Sequence, residues 1–99
     1  MEQPLITIVM PVYNRASLVP RTLRSIERQT QRPLNVIIVD NNSTDGTVEV
    51  IDAWRRRVEA PNFQVTVLSE TTPGAAAARQ KGLAAVTTPY VAFFDSDDE

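Results

Sequence analysis

Four short apolar segments, most of them rich in β-branched residues, alternate along the chain with segments of helical periodicity. This alternation limits the possible folds more than any other feature. The predicted strands are residues 5–10, 34–39, 63–68 and 90–94. The predicted helices are residues 18–29, 47–58 and 75–86. A β-α-β-α-β-α-β order of this kind predicts an α/β domain with a mostly parallel sheet and helices on both of its faces.

The ends of these elements carry residues that favour turns and caps. We expect Pro11 to end the first strand, since proline has no N–H to donate to a strand ladder. Ser17 is a candidate cap for the first helix, and Thr44 or Asp45 for the second. The third predicted strand alternates partly between apolar and polar residues, which predicts a position nearer an edge of the sheet.

Composition narrows the class of protein. The chain has 99 residues, of which 42% are hydrophobic and 22% are charged, as in one small globular domain. A net charge of −2 gives no sign of a nucleic-acid-binding protein. The chain contains no cysteine and no histidine, so acid–base chemistry would have to use carboxylates, tyrosine, lysine or arginine, or a part of the protein outside these 99 residues.

Polar residues follow the predicted strands where each strand ends. They are Tyr13, Asn14 and Arg15 after the first, Asp40 and Asn42 after the second, and Asp95 and Asp97 after the last. Ligands of open parallel sheets bind at this edge, near a switch in strand order. Solvation of the strand ends, loop capping by Asp40 and a solvated acidic tail explain the same pattern without a ligand.

Two features of this pattern favour a diphosphate ligand. Asp95 and Asp97 are two residues apart, so on an extended chain they point the same way and suit Mg2+ or Mn2+. Arg79 and Lys81, on the third predicted helix, can meet phosphate, although a surface role fits Lys81 better. Asp40 can accept hydrogen bonds from the N–H groups of a base or from sugar hydroxyls. Together these residues predict a site for a nucleotide diphosphate bridged by a metal.

Four motifs then give the chain a specific resemblance. They are Ile-Val-Met-Pro-Val-Tyr-Asn-Arg at 8–15, Val-Ile-Ile-Val-Asp-Asn-Asn-Ser-Thr-Asp-Gly-Thr at 36–47, Ala-Arg-Gln-Lys-Gly-Leu at 78–83 and Phe-Asp-Ser-Asp-Asp at 94–98. In this order and spacing they resemble the family 2 glycosyltransferases over nearly the whole chain. The resemblance implies the Rossmann-like GT-A fold of nucleotide-diphospho-sugar transferases. It also implies inverting transfer of a sugar from a nucleotide donor, usually with Mg2+ or Mn2+.

The resemblance also implies roles for individual residues. Pro11, Val12 and Tyr13 would line the base pocket, and Asp40 would hydrogen-bond the base, commonly uracil. Arg79 would lie near the phosphates or sugar of the donor, and Asp95 would contact its ribose or sugar. Asp97 would ligate the metal, with Asp98 as the alternative ligand after a shift in register. Asn14 and Asn42 complete the expected donor-binding set, and a UDP-sugar is the expected donor.

The chain departs from the family pattern after the Asp-x-Asp motif. Family members continue past it, and their continuation carries the acceptor site and the carboxylate that acts as general base. We therefore expect residues 1–99 to be the N-terminal donor-binding part of a catalytic domain, with no catalytic base of their own. Such a part would not transfer sugar alone, and an uncovered sheet edge would favour self-association. We expect a cytoplasmic protein acting on a glycan or lipid-linked acceptor, with any attachment to the inner face of the membrane coming from later segments.

Two other interpretations use the same residues. Phosphatases of the haloacid dehalogenase type also place Asp-x-Asp at a strand end, but near the start of the chain and with Thr or Val at the fifth position. Here the fifth position is Glu99. The second interpretation is a non-catalytic module that binds a nucleotide or a partner protein.

Overall fold

The computed structural model describes residues 3–29 and 32–94. Within these residues, strands and helices alternate as the sequence predicts. They are β1 (Ile6–Val12), α1 (Val19–Glu27), β2 (Leu34–Asp40), α2 (Thr47–Val58), β3 (Phe63–Ser69), α3 (Ala75–Ala84) and β4 (Tyr90–Phe93). None of the helices in this part of the chain is long and apolar enough to cross a bilayer.

The four strands form one parallel sheet in the order β3-β2-β1-β4. The chain moves from β1 through β2 to β3, which lies at an edge as predicted, and then crosses back to β4 on the other side of β1. The strand order therefore reverses between β1 and β4. In open α/β sheets such a reversal opens a crevice beyond the carboxyl ends of the two strands.

Alternate residues of the two central strands pack on opposite faces of the sheet, because side chains alternate along a strand. On one face, the α1–α2 layer covers the even-numbered residues of β1 and β2. The fully or almost fully buried side chains of this core include Ile8, Met10, Val36, Ile38, Leu23, Ile26, Ile51 and Trp54. On the opposite face α3 packs against the odd-numbered residues, so the prediction of helices on both faces is confirmed.

Small residues let α3 lie close to the sheet. Ala78 is fully buried against Val9 and Val39, and Gly82 follows it one turn later. A Cβ atom added to Gly82 would lie 2.5 Å from Cγ1 of Val9 and 3.1 Å from Cγ2 of Val39. Since real Cβ atoms keep more than 3 Å from such neighbours, glycine at this position sets the distance between helix and sheet.

The first strand passes through Pro11, where the sequence predicted its end, and Pro11 pairs with Val39. Successive residues of a strand between two parallel neighbours bond to opposite sides. The O atom of Val9 accepts from Phe94 N at 3.0 Å, and that of Val12 accepts from Asn41 N at 2.9 Å. The nitrogen of Pro11 therefore faces away from β2, so its missing N–H removes no hydrogen bond from the β1–β2 ladder.

The helix ends differ from two of the predictions. The N-cap of α1 is Leu18 rather than Ser17, and the O atom of Arg15 accepts the N–H groups of Leu18 and Val19 instead. The N-cap of α2 is Gly46, with φ of 91°, rather than Thr44 or Asp45. Asp45 precedes the cap, and its Oδ1 atom accepts the N–H of Thr47, the first residue of the helix, at 3.1 Å.

We predict that Gly82→Ala destabilises the fold, although alanine is the better helix former. The helix-propensity gain is about 1 kcal/mol, whereas forcing a methyl group into a packed core costs about 1–3 kcal/mol. Because the new Cβ atom meets two methyl groups, at 2.5 Å and 3.1 Å, we expect the steric cost to exceed the gain, and urea unfolding should show a lower midpoint. In a Val9→Ala background the same substitution should become stabilising, because the nearest obstructing methyl group is gone. A stabilising effect in both backgrounds would contradict this account of the helix position.

Candidate functional site

The carboxyl ends of β1 and β2 place one buried carboxylate at the edge of the sheet. Val12 and Asp40 are paired residues at the ends of these strands, and Asp40 is only 7% exposed. Its Oδ2 atom accepts the N–H of Ser43 at 3.2 Å. Its Oδ1 atom is buried and has no hydrogen-bond partner among the residues that the structure describes. A buried carboxylate oxygen without a donor is costly, so this atom is suited to receive an N–H or O–H group from a ligand.

The loop after β1 is tied to the loop after β2 through Asn14. This residue has a left-handed backbone with φ of 46°. Its N–H donates to Oγ of Ser43 at 2.9 Å, and its Oδ1 atom accepts the N–H of Thr44 at 2.8 Å. Asn14 therefore holds two loops together, and its amide oxygen already has a partner before any ligand arrives.

Asp45 makes a second tie between the same two loops. Its Oδ2 atom accepts the N–H of Ala16 at 3.2 Å, and its Oδ1 atom accepts both the N–H and the hydroxyl of Thr47. The Thr47 hydroxyl in turn accepts the N–H of Arg15 at 3.0 Å. The hydrogen bond from the Thr47 side chain is the main cause that holds the pKa of Asp45 below its ordinary value, with backbone N–H groups adding to it.

Asn41 is a structural residue of the site that the sequence interpretation missed. Its Nδ2 atom donates to the O atoms of Glu70 at 2.8 Å and Thr72 at 2.7 Å, and its Oδ1 atom accepts the N–H of Gly74 at 3.0 Å. Gly74 has φ of 114°, a conformation that favours glycine, and it immediately precedes α3. In the sequence, Asn41 is part of a run of loop-forming residues at 41–46. Such a run predicts a loop but does not indicate which of its side-chain amides is buried.

Among the other predicted donor-binding residues, two more lie at this edge. Tyr13 is 53% exposed just beyond β1, and Asn42, with φ of 69°, donates to the O atom of Thr71 at 3.0 Å. Pro11 and Val12 are also close to this edge, as the last two residues of β1, but their side chains are buried.

The two predicted basic residues lie further along α3. Arg79 is four residues beyond the first residue of the helix, about 6 Å along its axis. Lys81 is exposed, and its charge contributes to lowering the pKa of Glu70, after the larger effect of the hydrogen bonds from Thr72. This agrees with a surface role for Lys81.

The three predicted acidic ligands of the last motif, Asp95, Asp97 and Asp98, lie outside the described residues. The strand that precedes them in the chain, β4, pairs in parallel with β1 and ends at the same edge as Asp40. Across residues 3–29 and 32–94, no cluster of three or more His, Cys, Asp or Glu residues could hold a metal ion.

Comparison with known families gives one match over most of the chain. The sequence profile of the family described as glycosyl transferase family 2 matches residues 7–99. Curated relatives include TuaG of Bacillus subtilis, which is named for teichuronic acid biosynthesis and is 37% identical over 98% of this chain. The amylovoran biosynthesis glycosyltransferase AmsB of Erwinia amylovora is 37% identical over 94% of this chain. The chain spans only 37% and 31% of the lengths of these two proteins.

Solved structures share the same fold. A mannosyltransferase from Pyrobaculum calidifontis in complex with GDP-Man and Mn2+ superposes with a TM-score of 0.84 and 33% identity, over 97% of this chain and 28% of its own. TarS from Staphylococcus aureus in complex with UDP gives a TM-score of 0.81 and 25% identity, over 93% of this chain and 27% of its own. Glucosyl-3-phosphoglycerate synthase from Mycobacterium tuberculosis, in complex with Mn2+, UDP and glucosyl-3-phosphoglycerate, gives a TM-score of 0.75 and 25% identity, over 95% of this chain and 34% of its own.

We predict that the Asp45 tie makes the fold sensitive to acid. Because the pKa of Asp45 is lowered in the folded state, the unfolded state binds its proton first as the pH falls. Its contribution to stability is complete above about pH 4 and is lost as the pH falls through the lower, folded-state pKa. Urea midpoints measured between about pH 2 and pH 6 should therefore depend less on pH in Asp45→Asn than in the original chain. An unchanged pH dependence in this variant, or the same reduction in the control Asp52→Asn, would contradict the assignment.

Proposed function

The chain belongs to glycosyl transferase family 2, and we propose that it forms the donor-binding part of a glycosyltransferase that uses a nucleotide-diphospho-sugar. The observation that carries this proposal is the buried Oδ1 atom of Asp40, which lacks a donor among the described residues and lies at the carboxyl edge of the sheet. Uracil N3–H and guanine N1–H are donors of the kind this oxygen needs. Because the atom is covered, base binding also requires a local displacement of the surrounding loops.

A UDP-sugar is the donor we favour. Asp40 would accept the N3–H of uracil while Ser43 continues to hold the other carboxylate oxygen, with Tyr13 available beside it as an exposed aromatic ring. Bound UDP in TarS and in glucosyl-3-phosphoglycerate synthase supports uracil, whereas bound GDP-Man in the mannosyltransferase supports guanine. Both bases offer an N–H group to a carboxylate, so the relative affinities for UDP and GDP decide between them.

The diphosphate would lie between the ends of β1 and β4, where the strand order reverses. We propose that Asp97, with Asp98 as the alternative, holds Mg2+ or Mn2+, since carboxylate oxygens are the ligands these hard cations prefer. Mn2+ in two of the similar structures supports this choice. The bound cation would offset the charge of the departing diphosphate. Asp95 would contact the ribose or sugar, and Arg79 would reach the phosphates from the second turn of α3.

The proposed reaction is a single displacement at the anomeric carbon. A hydroxyl oxygen of the acceptor forms the new bond to this carbon as the bond to the nucleoside diphosphate breaks, so the configuration inverts. The hydroxyl proton passes to a general base, and we propose none among residues 1–99. The biosynthetic names of TuaG and AmsB support a glycan or lipid-linked acceptor in polysaccharide biosynthesis. We place the reaction in the cytoplasm, at the inner face of the membrane.

We predict that the chain binds UDP in calorimetric titrations and that Mn2+ strengthens the binding. Asp40→Asn should weaken UDP binding about tenfold to hundredfold, the value of a hydrogen bond to a charged group. The amide oxygen would still accept from Ser43, so the amide N–H group would oppose the N3–H of uracil. Among the nucleotides, CDP should lose the least affinity in this variant, because N3 of cytosine is an acceptor and can pair with the amide N–H group. Asp97→Ala should abolish the effect of Mn2+ and leave the metal-free binding unchanged.

Asp52→Asn is the matched control, because it makes the same chemical change on α2. There the Oδ1 atom of Asp52 lies 3.8 Å from Nη2 of Arg55. It should bind UDP as the original chain does. Titrations with GDP and dTDP test the choice of base. Equal binding of UDP by the original chain and Asp40→Asn would refute the role of Asp40. Absence of binding to every nucleotide tested, with a folded chain, would refute the donor site.

The exposed apolar residues of β4 favour a second function, a non-catalytic module that binds a partner through this edge. Tyr90, Val91 and Phe93 are 65%, 36% and 48% exposed, and β4 lies at the edge of the sheet as described. Exposed strand edges with apolar side chains promote pairing between chains. In this alternative the surface is permanently covered by another molecule, and transfer chemistry is not required.

We predict that the chain self-associates through β4 when no other molecule covers it. Sedimentation velocity should show a dimer whose fraction rises with concentration, because edge pairing buries the apolar side chains. Val91→Lys should shift the chain to monomer, since lysine on an edge strand opposes pairing. Leu83→Lys is the control, an exposed apolar residue on α3 rather than on the edge. A monomer at every concentration, or equal effects of the two variants, would contradict pairing through β4.

A further inference from the structure

The α1–α2 layer carries more positive charge than its ion pairs and the proposed donor site use. Residues 17–32 and 47–59 contain seven arginines and four acidic residues. The rest of the chain contains three basic and eight acidic residues. Of these eight acidic residues the structure describes only Asp40, Asp45 and Glu70, so among the described residues the excess of positive charge lies in the two helical segments.

Three of these arginines form a row along α1. Arg21, Arg24 and Arg28 are spaced by three and four residues, which places them on one face of the helix. All three are exposed, whereas Val19, Leu23 and Ile26 point inward to the core. The row therefore lies on the outer side of the layer, directed away from the sheet.

The last turn of α2 extends this row. Arg56 and Arg57 are exposed there, and NH1 of Arg57 is 3.4 Å from Oε2 of Glu27 on α1. That contact shows that the C-terminal ends of the two helices lie side by side. The arginine face is defined here as Arg21, Arg24, Arg28, Arg56 and Arg57.

Little negative charge offsets the arginine face. Glu27 pairs with Arg57, whose side chain remains 64% exposed. Within residues 3–29 and 32–94, no ion pair reaches Arg21, Arg24, Arg28 or Arg56. Four guanidinium groups are therefore directed into solvent, each able to bind a phosphate through two parallel hydrogen bonds.

The shape of the arginine face favours one class of polyanion. The two helices present a broad surface with a shallow groove between them, lined by Pro20, Leu23, Val50 and Ala53. The aromatic residue of this groove, Trp54, is only 4% exposed, so it offers no surface for stacking the bases of a nucleic acid. A broad basic face with some apolar surface between its charges suits the phosphate headgroups of a membrane.

We propose that the arginine face docks the chain on the anionic headgroups of a phospholipid bilayer. The face covers one side of the sheet, and its charges concentrate at the C-terminal ends of α1 and α2, opposite the edge that holds Asp40. Docking therefore leaves that edge free. This proposal concerns a separate surface and does not depend on the donor site.

The test is co-sedimentation of the chain with vesicles of phosphatidylcholine alone or mixed with phosphatidylglycerol. The chain should bind the mixed vesicles at low salt, bind pure phosphatidylcholine far less, and dissociate as salt screens the charges. The triple variant Arg21→Gln, Arg24→Gln and Arg28→Gln should bind about a hundredfold less tightly, at about fivefold per arginine near an anionic surface. Glutamine is a good helix former, so α1 should persist, and circular dichroism checks this.

Lys81→Gln is the matched control for the single variant Arg24→Gln, which should bind about fivefold less tightly. Each variant removes one positive charge, and Lys81→Gln removes it from α3 on the opposite face of the sheet. It should retain the binding of the original chain. Absence of binding to phosphatidylglycerol vesicles at low salt would overturn the proposal. An equal loss in Lys81→Gln would overturn it as well, since net charge rather than this face would then govern binding. Tighter binding to single-stranded RNA than to the mixed vesicles would assign the face to a different polyanion.

Discussion

Parallel pairing of β1 with β2 on one side and β4 on the other is the constraint on which the rest of this structure depends. It brings three strand ends to one edge of the sheet and places the reversal of strand order between β1 and β4. The same pairing makes β1 a central strand with apolar side chains on both faces, and helices cover both of them. Gly82 then allows α3 to approach Val9 and Val39 closely enough to cover the second face.

Most polar side chains near this edge are occupied in holding loops rather than available for a ligand. Asn14 and Asp45 connect the loops after β1 and β2, and Asn41 connects β2 to the start of α3. The buried oxygen of Asp40 is different, because it has no donor among the described residues. Amide and carboxylate groups that already have partners thus surround one acceptor that has none. Such an acceptor is suited to a specific hydrogen-bond donor group on a ligand.

The strands and the α/β class could be predicted from the sequence because buried parallel strands leave continuous apolar runs. The end of β1 could not, because the tolerance of Pro11 depends on which neighbour its nitrogen faces. Asp40 was predicted as a site residue from its position after a strand, and the structure adds the unused oxygen. The role of Asn41 could not be predicted, since its three partners lie about 30 residues away in sequence. Asn14 was expected to contact the donor, and no periodicity indicates that its amide oxygen is already engaged.

The adjacency of Asp40 and Asn41 couples two parts of the molecule. One of these residues bonds to Ser43 in its own loop, and the other is anchored to Glu70, Thr72 and Gly74 across the sheet edge. The Asp40 carboxylate is therefore separated by one peptide unit from three hydrogen bonds to the loop between β3 and α3, and one of these bonds is made by Gly74, the residue before the helix. Gly74, with φ of 114°, joins this anchored loop to α3, so the loop after β2 and the loop before α3 share one anchor in Asn41.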